Sequence, residues 1–190
     1  MVLLSILIPT IPERSELFNK LIDVIRPQLT DKVEVLFNPK PKGEISIGTK
    51  RNILYNEANG LYSVQIDDDD TIPAYFVKEV LAAIREVPDC VGYKEHCTID
   101  GKVQDSVISI TNKEWYSINS THFRTPHFKT PILTELCKQV GVKDMRFGED
   151  HDFAKRIYPL LKTEKFIPLE MYYYTANSLT PQQHKERYGL

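Results

Sequence analysis

Cysteine is scarce in this 190-residue chain: Cys90, Cys97 and Cys137 are odd in number and show no C-x-x-C spacing. That excludes a self-contained disulfide framework and gives no thiolate zinc motif, so reduced thiols are expected. No apolar run approaches the roughly 20 residues needed to span a bilayer, and a membrane helix is not expected. The apolar stretch at 2–8 (VLLSILI) has no basic region before it and runs straight into Pro9, which reads as a buried strand rather than a secretion signal. A cytoplasmic location follows as the expectation. Charge of one sign is also lacking, with 24 basic against 26 acidic residues and a net charge of -2. Such a balance offers no general attraction to nucleic acid or anionic lipid. There is no internal repeat, and the length suits one domain.

What the chain does have is an alternation of strand and helix patterns. After the strand at 2–8, residues 15–25 place Leu17, Leu21, Val24 and Ile25 at helical spacing, and Pro27 stops the run. A second strand is expected at 32–37 (KVEVLF), then a loop holding Pro39, Pro41 and Gly43. A helix at 48–59 turns Ile53, Leu54 and Ala58 inward, with Gly60 suited to a left-handed cap. A strand at 62–66 follows, and a helix capped by Thr71 and opened by Pro73 reaches about residue 87. This βαβαβα order predicts a parallel sheet covered on both faces, with ligands at the carboxyl ends of its strands. Beyond residue 91 the texture is mixed: an Asp100-Gly101 turn, a strand at 103–110, helices at 130–140 and 150–158, a strand at 170–174 that carries Tyr172, Tyr173 and Tyr174, and a polar tail from 180.

The third strand delivers Asp67, Asp68, Asp69 and Asp70 in succession. Each close pair of ionised carboxylates costs on the order of 4 kcal/mol at 4 Å in an effective dielectric near 20. At the end of an apolar strand the charge must be protonated or neutralised, and a divalent cation does so while leaving coordination positions for phosphate oxygens. The bland alternative is a solvated loop whose last aspartate caps the next helix.

Three segments then carry a family resemblance: SILIPTIPER at 5–14, SIGTKRNILYNEANGLYSVQIDDDD at 46–70 and GEDHDFAKRI at 148–157. Together they resemble the family 2 glycosyltransferases of the GT-A fold. The segment at 126–153 is also similar to small glycosyltransferases of phages and large viruses, for which the location would be the host cytoplasm. The resemblance implies a GT-A Rossmann-like α/β/α sandwich, with a mostly parallel central sheet and a mixed C-terminal extension. It implies one domain over 1–190, with a nucleotide-binding half at 1–90 and an acceptor-binding half at 91–190.

Carried onto this sequence, the resemblance places Thr10, Arg14 and Arg51 in the donor-nucleotide pocket, with Asp67 near the ribose. Asp69 becomes the metal ligand for Mn²⁺ or Mg²⁺, and Asp70 an outer or capping residue. Asn38 stands where the family usually has a base-contacting aspartate, and its amide can still hydrogen-bond a base. Asp150 matches the general base of inverting members, and Gly148 lets the backbone aim the Glu149-Asp150 pair. The implied donor is a nucleotide sugar, a UDP-sugar first, and the acceptor a glycan or other hydroxyl compound.

Acceptor contacts are expected from Glu149, Trp115 and His127, with His122 and Arg124 in the same proline-containing loop able to hold acceptor or phosphate. His184, with Lys185 and Arg187, could fold over the donor and supply a further metal ligand. A nucleotidyltransferase is the alternative enzyme, disfavoured because no Gly-rich basic loop follows the first strand. A nucleotide- or sugar-binding module without catalysis is the third reading, and the presence of Asp150 argues against it.

Overall fold

The computed structural model describes residues 1–145 and 148–176. The first half runs β1 (Leu4–Pro9), α1 (Ser15–Ile25), β2 (Val33–Asn38), α2 (Ile47–Glu57), β3 (Tyr62–Gln65) and α3 (Phe76–Ala83). The second runs β4 (Cys90–Ile99), β5 (Lys102–Ile108), β6 (Tyr116–Ile118), β7 (Thr121–Arg124), β8 (Ile132–Leu133), α4 (Thr134–Val140), α5 (Glu149–Ile157) and β9 (Glu164–Ala176). These strands form one sheet in the order β2-β1-β3-β8-β4-β5-β7-β6, with β9 alongside β4. The strands β2, β1 and β3 are parallel, whereas β8 is antiparallel to both β3 and β4, and the remainder is mixed.

The period-2 alternation of β1 explains the layering. Leu4, Ile6 and Ile8 join Leu21 and Ile25 of α1 and Phe76, Val77 and Val80 of α3 in one core. Leu7 points the other way, into a second core with Leu54 and Tyr55 of α2, Cys137 of α4, and Phe153 and Ile157 of α5. Helices therefore cover both faces of the sheet, and the carboxyl ends of β1 and β3 are left open for ligands. The three cysteines are free and buried. Among the described residues no helix is long and apolar enough to cross a membrane.

Several local expectations are corrected. Gly60 is not a left-handed cap: helix α2 ends at Ala58 in extended backbone. Glycine is needed there for close approach, because a Cβ would lie 2.6 Å from both the backbone nitrogen and Oγ of Ser5. Thr71 does not cap a helix either; it bridges Tyr173 of β9 through two backbone hydrogen bonds, and α3 starts five residues later. His122 and Arg124 lie on strand β7 rather than in a loop. The closing strand is longer than 170–174 because it follows β4 along its whole length, with two register shifts. The Asp100-Gly101 turn does form: φ values of 52° and 72° and the Ile99-Lys102 pairing give the hairpin turn that favours glycine second.

Gly60→Ala is expected to destabilise the protein by about 2 kcal/mol, the range for forcing a methyl group into a packed contact. Urea unfolding measures this, and an unchanged midpoint would show that β1 can yield.

Candidate active site

The acidic run leaves β3 at the open edge, and its carboxylates diverge onto different partners. Asp67 takes a 2.8 Å ion pair from Arg51 and lies 3.6 Å from Lys129. Asp68 accepts hydrogen bonds from the Thr10 hydroxyl at 2.7 Å and the Arg14 guanidinium at 2.8 Å. Asp69 also meets Arg14, at 3.1 Å, but is half exposed. Asp70 is buried against the Lys129 ammonium at 2.8 Å and accepts the Tyr172 hydroxyl proton at 2.7 Å. That same hydroxyl accepts the backbone N–H of Asp67, so β9 holds both ends of the turn.

The electrostatics follow from this sharing. Burial works against the charge of Asp67, but Arg51 and Lys129 outweigh it and bring the carboxyl down to about 2. Asp70 is the opposite case: burial, reinforced by Asp67, prevails over Lys129 and Tyr172 and raises it to about 6. Burial opposes the Lys129 charge too, yet the two aspartates hold the ammonium well above the usual lysine range. The rings of Tyr172 and Tyr174, 4.7 and 4.5 Å away, complete the cage around it.

Because Asp67 turns to Arg51 and Asp68 to Arg14, the run is a wall between two clefts. On one side a cleft of about 310 Å³ is lined by Thr10, Ile11, Arg14, Lys50 and Asp68, among others. On the other a cleft of about 320 Å³ is lined by Arg51, Asp67, Lys129, His127, Glu149, Asp150 and Trp115, among others. Gly148 has φ +79°, the left-handed conformation that aims the Glu149-Asp150 pair at the start of α5. His127 is buried; desolvation, with help from Lys129 and Arg124 and against Asp150, lowers it to about 3 and leaves the ring neutral. Trp115 packs against His127 and His151, with ring centroids at 5.3 and 4.9 Å.

The residues expected for the acceptor, Glu149, Trp115 and His127, thus share one cleft with Asp150. Those expected for the donor nucleotide divide. Thr10 and Arg14 line the first cleft, while Arg51 and Asp67 line the second. Asn38 lines neither: it is buried, its Oδ1 accepts the Lys40 N–H, and its carbonyl accepts the Thr10 N–H, so it shapes the loop after β1. His184 lies outside the described residues. Sequence reading missed Lys129, Tyr172, Lys50 and the orientation of Asp68. Lys50 is buried, and its ammonium donates to the carbonyls of Thr10 and Lys40. A lysine at a buried helical position, among residues otherwise turned inward, was the available signal.

These partners remove the need for a metal cation to neutralise the run, since Arg14, Arg51 and Lys129 already meet most of its charge. Among the described residues no group of three His, Cys, Asp or Glu side chains converges. Asp69 nonetheless offers one half-exposed carboxylate beside Arg14. That fits the way Mg²⁺ binds, through one or two carboxylates with water and substrate phosphates rather than a full protein cage.

Lys129→Met tests the charge sharing. Asp70 holds its proton more tightly in the folded protein than in the unfolded chain, where the reference is 3.8, so its contribution to stability is lost as pH rises through about 6. Removing the ammonium raises that value further. The substitution is therefore expected to cost about 3 kcal/mol around pH 8 and clearly less near pH 5, where Asp70 is protonated. Unfolding at both pH values checks this, and a cost independent of pH would contradict it.

No protein-family profile and no curated protein sequence matches the chain. Solved structures do. S. aureus TarS 1-349 in complex with UDP-GlcNAc superimposes with a TM-score of 0.69 at 18% identity, over 94% of this chain and 60% of that one. The same TarS segment in complex with UDP gives 0.67 at 19% identity, over 98% and 63%. The chain therefore spans about three fifths of the length of those proteins. At such identity the likeness is one of fold, and the fold is the GT-A Rossmann-like α/β arrangement.

Proposed function

We propose that the chain is a glycosyltransferase that moves a sugar from a nucleoside-diphosphate sugar to an acceptor hydroxyl with inversion. The observation that carries this is the pair of clefts divided by the acidic run at the end of β3. In this reading the nucleoside occupies the Thr10, Arg14, Lys50 and Asp68 cleft, the diphosphate crosses at Asp69, and the sugar and acceptor meet beside Asp150. The TarS structures, which hold UDP-GlcNAc and UDP on the same fold, support a UDP-sugar as donor. Free cysteines accord with a reducing cytoplasm as the place of reaction.

Asp150 takes the proton of the acceptor hydroxyl as its oxygen attacks the anomeric carbon. The bond from that carbon to the phosphate oxygen breaks, its electron pair leaves with the nucleoside diphosphate, and attack from the opposite face inverts the centre. Arg51 and Lys129 face the same cleft and favour the negative charge that develops on the leaving group. Asp69, with His184 as the proposed additional ligand, would hold Mn²⁺ or Mg²⁺, which would supply Lewis-acid stabilisation of the diphosphate. Trp115 gives the acceptor an apolar face to lie on, and Glu149 and His127 flank its hydroxyls.

Two substitutions separate binding from chemistry. Asp69→Ala is expected to abolish the Mn²⁺-dependent part of UDP affinity in calorimetry, and an unchanged Mn²⁺ dependence would refute the metal assignment. Asp150→Asn is expected to bind UDP normally while transfer falls by about 10²- to 10⁴-fold. Normal transfer by that variant would remove Asp150 from the role of base.

A further inference from the structure

The cleft beside Asp150 continues away from the acidic run onto the small sheet, where its floor is a row of cross-strand neighbours. Glu95 on β4 faces Ser106 on β5, and Ser106 faces His122 on β7. All three line the cleft, together with Arg124. Ser106 is 1% exposed, and its buried hydroxyl has no hydrogen-bond partner among the described residues. The Nδ1 of His127, further along the same cleft, is likewise buried and without a partner. A buried polar atom left unpaired costs about 1–3 kcal/mol, so two in residues that line one cleft point to a polar occupant.

The other groups are held in place rather than free. His122 is fixed through Ser117 at 2.7 Å and Gln104 at 2.6 Å. Arg124 lies 5.0 Å above the Trp115 ring, donates to the carbonyls of Tyr116 and Phe123, and contacts His122. Among the described residues it has no carboxylate within 4.0 Å. Glu95 stands in the same cleft and acts on Arg124 from further off, so the charges at this end oppose one another. A rigid floor of hydrogen-bonding groups with balanced charge, walled by an indole, suits an uncharged ring rich in hydroxyls.

We infer that this sheet-face end of the cleft is a specificity subsite for a neutral saccharide unit of the acceptor, read by Ser106 and Arg124, with His122 as part of its fixed floor and Trp115 as its wall. The inference rests on the glycosyl-transfer reading of the adjacent centre. It assigns the acceptor to the carbohydrates and makes the β5 and β7 strands, rather than the helices, the elements that choose it.

Trp115 is the single tryptophan of the chain, so its fluorescence reports on this cleft directly. The test titrates the full chain with methyl glycosides of glucose, galactose, mannose and N-acetylglucosamine, with glycerol phosphate as the anionic probe, up to tens of millimolar. At least one neutral glycoside is expected to change the emission saturably, more tightly than glycerol phosphate. Ser106→Ala and, separately, Arg124→Lys are expected to weaken that glycoside about tenfold, the loss for one or two polar contacts. Preference for glycerol phosphate, no saturable response to any glycoside, or unaltered affinity in both variants would overturn the subsite. Calorimetry with UDP and Mn²⁺ on the unsubstituted protein distinguishes the two failures. If UDP binds and the glycosides do not, the subsite falls and the donor reading stands; if UDP does not bind, the underlying reading fails.

Discussion

The interaction on which the rest depends is the sharing of one buried ammonium, that of Lys129, between two carboxylates of the acidic run. Adjacent aspartates at a strand end repel one another strongly in a partly buried setting. Here the repulsion is relieved by spreading the four over three cations: Asp67 on Arg51 and Lys129, Asp68 and Asp69 on Arg14, and Asp70 on Lys129. Asp67 and Asp68 consequently turn toward different clefts, and the segment becomes a partition between them. The partition is held from behind by Tyr172, which bonds both Asp67 and Asp70, and by the bridge between Thr71 and Tyr173.

This arrangement links fold to chemistry. Strand β9 comes last in the sheet's construction, yet it secures the turn that follows β3, so the two halves of the chain meet at the site. The loop bearing His127 and Lys129 is fixed in turn by strands on both sides, since Gln65 donates its N–H to the Phe128 carbonyl and the Tyr93 hydroxyl bonds the Lys129 carbonyl. Positioning of the cation, and through it of the aspartates, is therefore set by the hold of β3 and β4 on this loop's carbonyls rather than by a flexible lysine stem finding its own place.

The first half of the chain was largely legible because its signals are local. Apolar runs, helical spacing and prolines located β1, α1, β2, α2 and β3 to within a residue or two, and the strand-end position of the aspartates followed from them. Partners lay beyond local reading. Nothing near Lys129 in sequence says that it meets residues some sixty positions earlier, or that Tyr172 joins it from β9. Gly60 was misjudged for the same reason: its constraint is a neighbouring strand, Ser5 on β1, and not its own backbone angle. The second half was read only in outline, because its strands pair across long separations and in mixed directions. The residues expected for the acceptor, Trp115, His127 and Glu149, come from three separate segments and line one cleft together with Asp150. The residues expected for the donor divide between the clefts, Thr10 and Arg14 on the side of Asp68, and Arg51 with Asp67 on the other.

The partition can be seen directly by crystallising the protein with UDP and Mn²⁺. The uridine is expected against Thr10, Arg14 and Asp68, with the diphosphate reaching Asp69 and the cleft of Asp150 left for sugar and acceptor. Uridine bound on the Asp150 side, or a diphosphate held away from all four aspartates, would contradict the division of labour drawn from the structure.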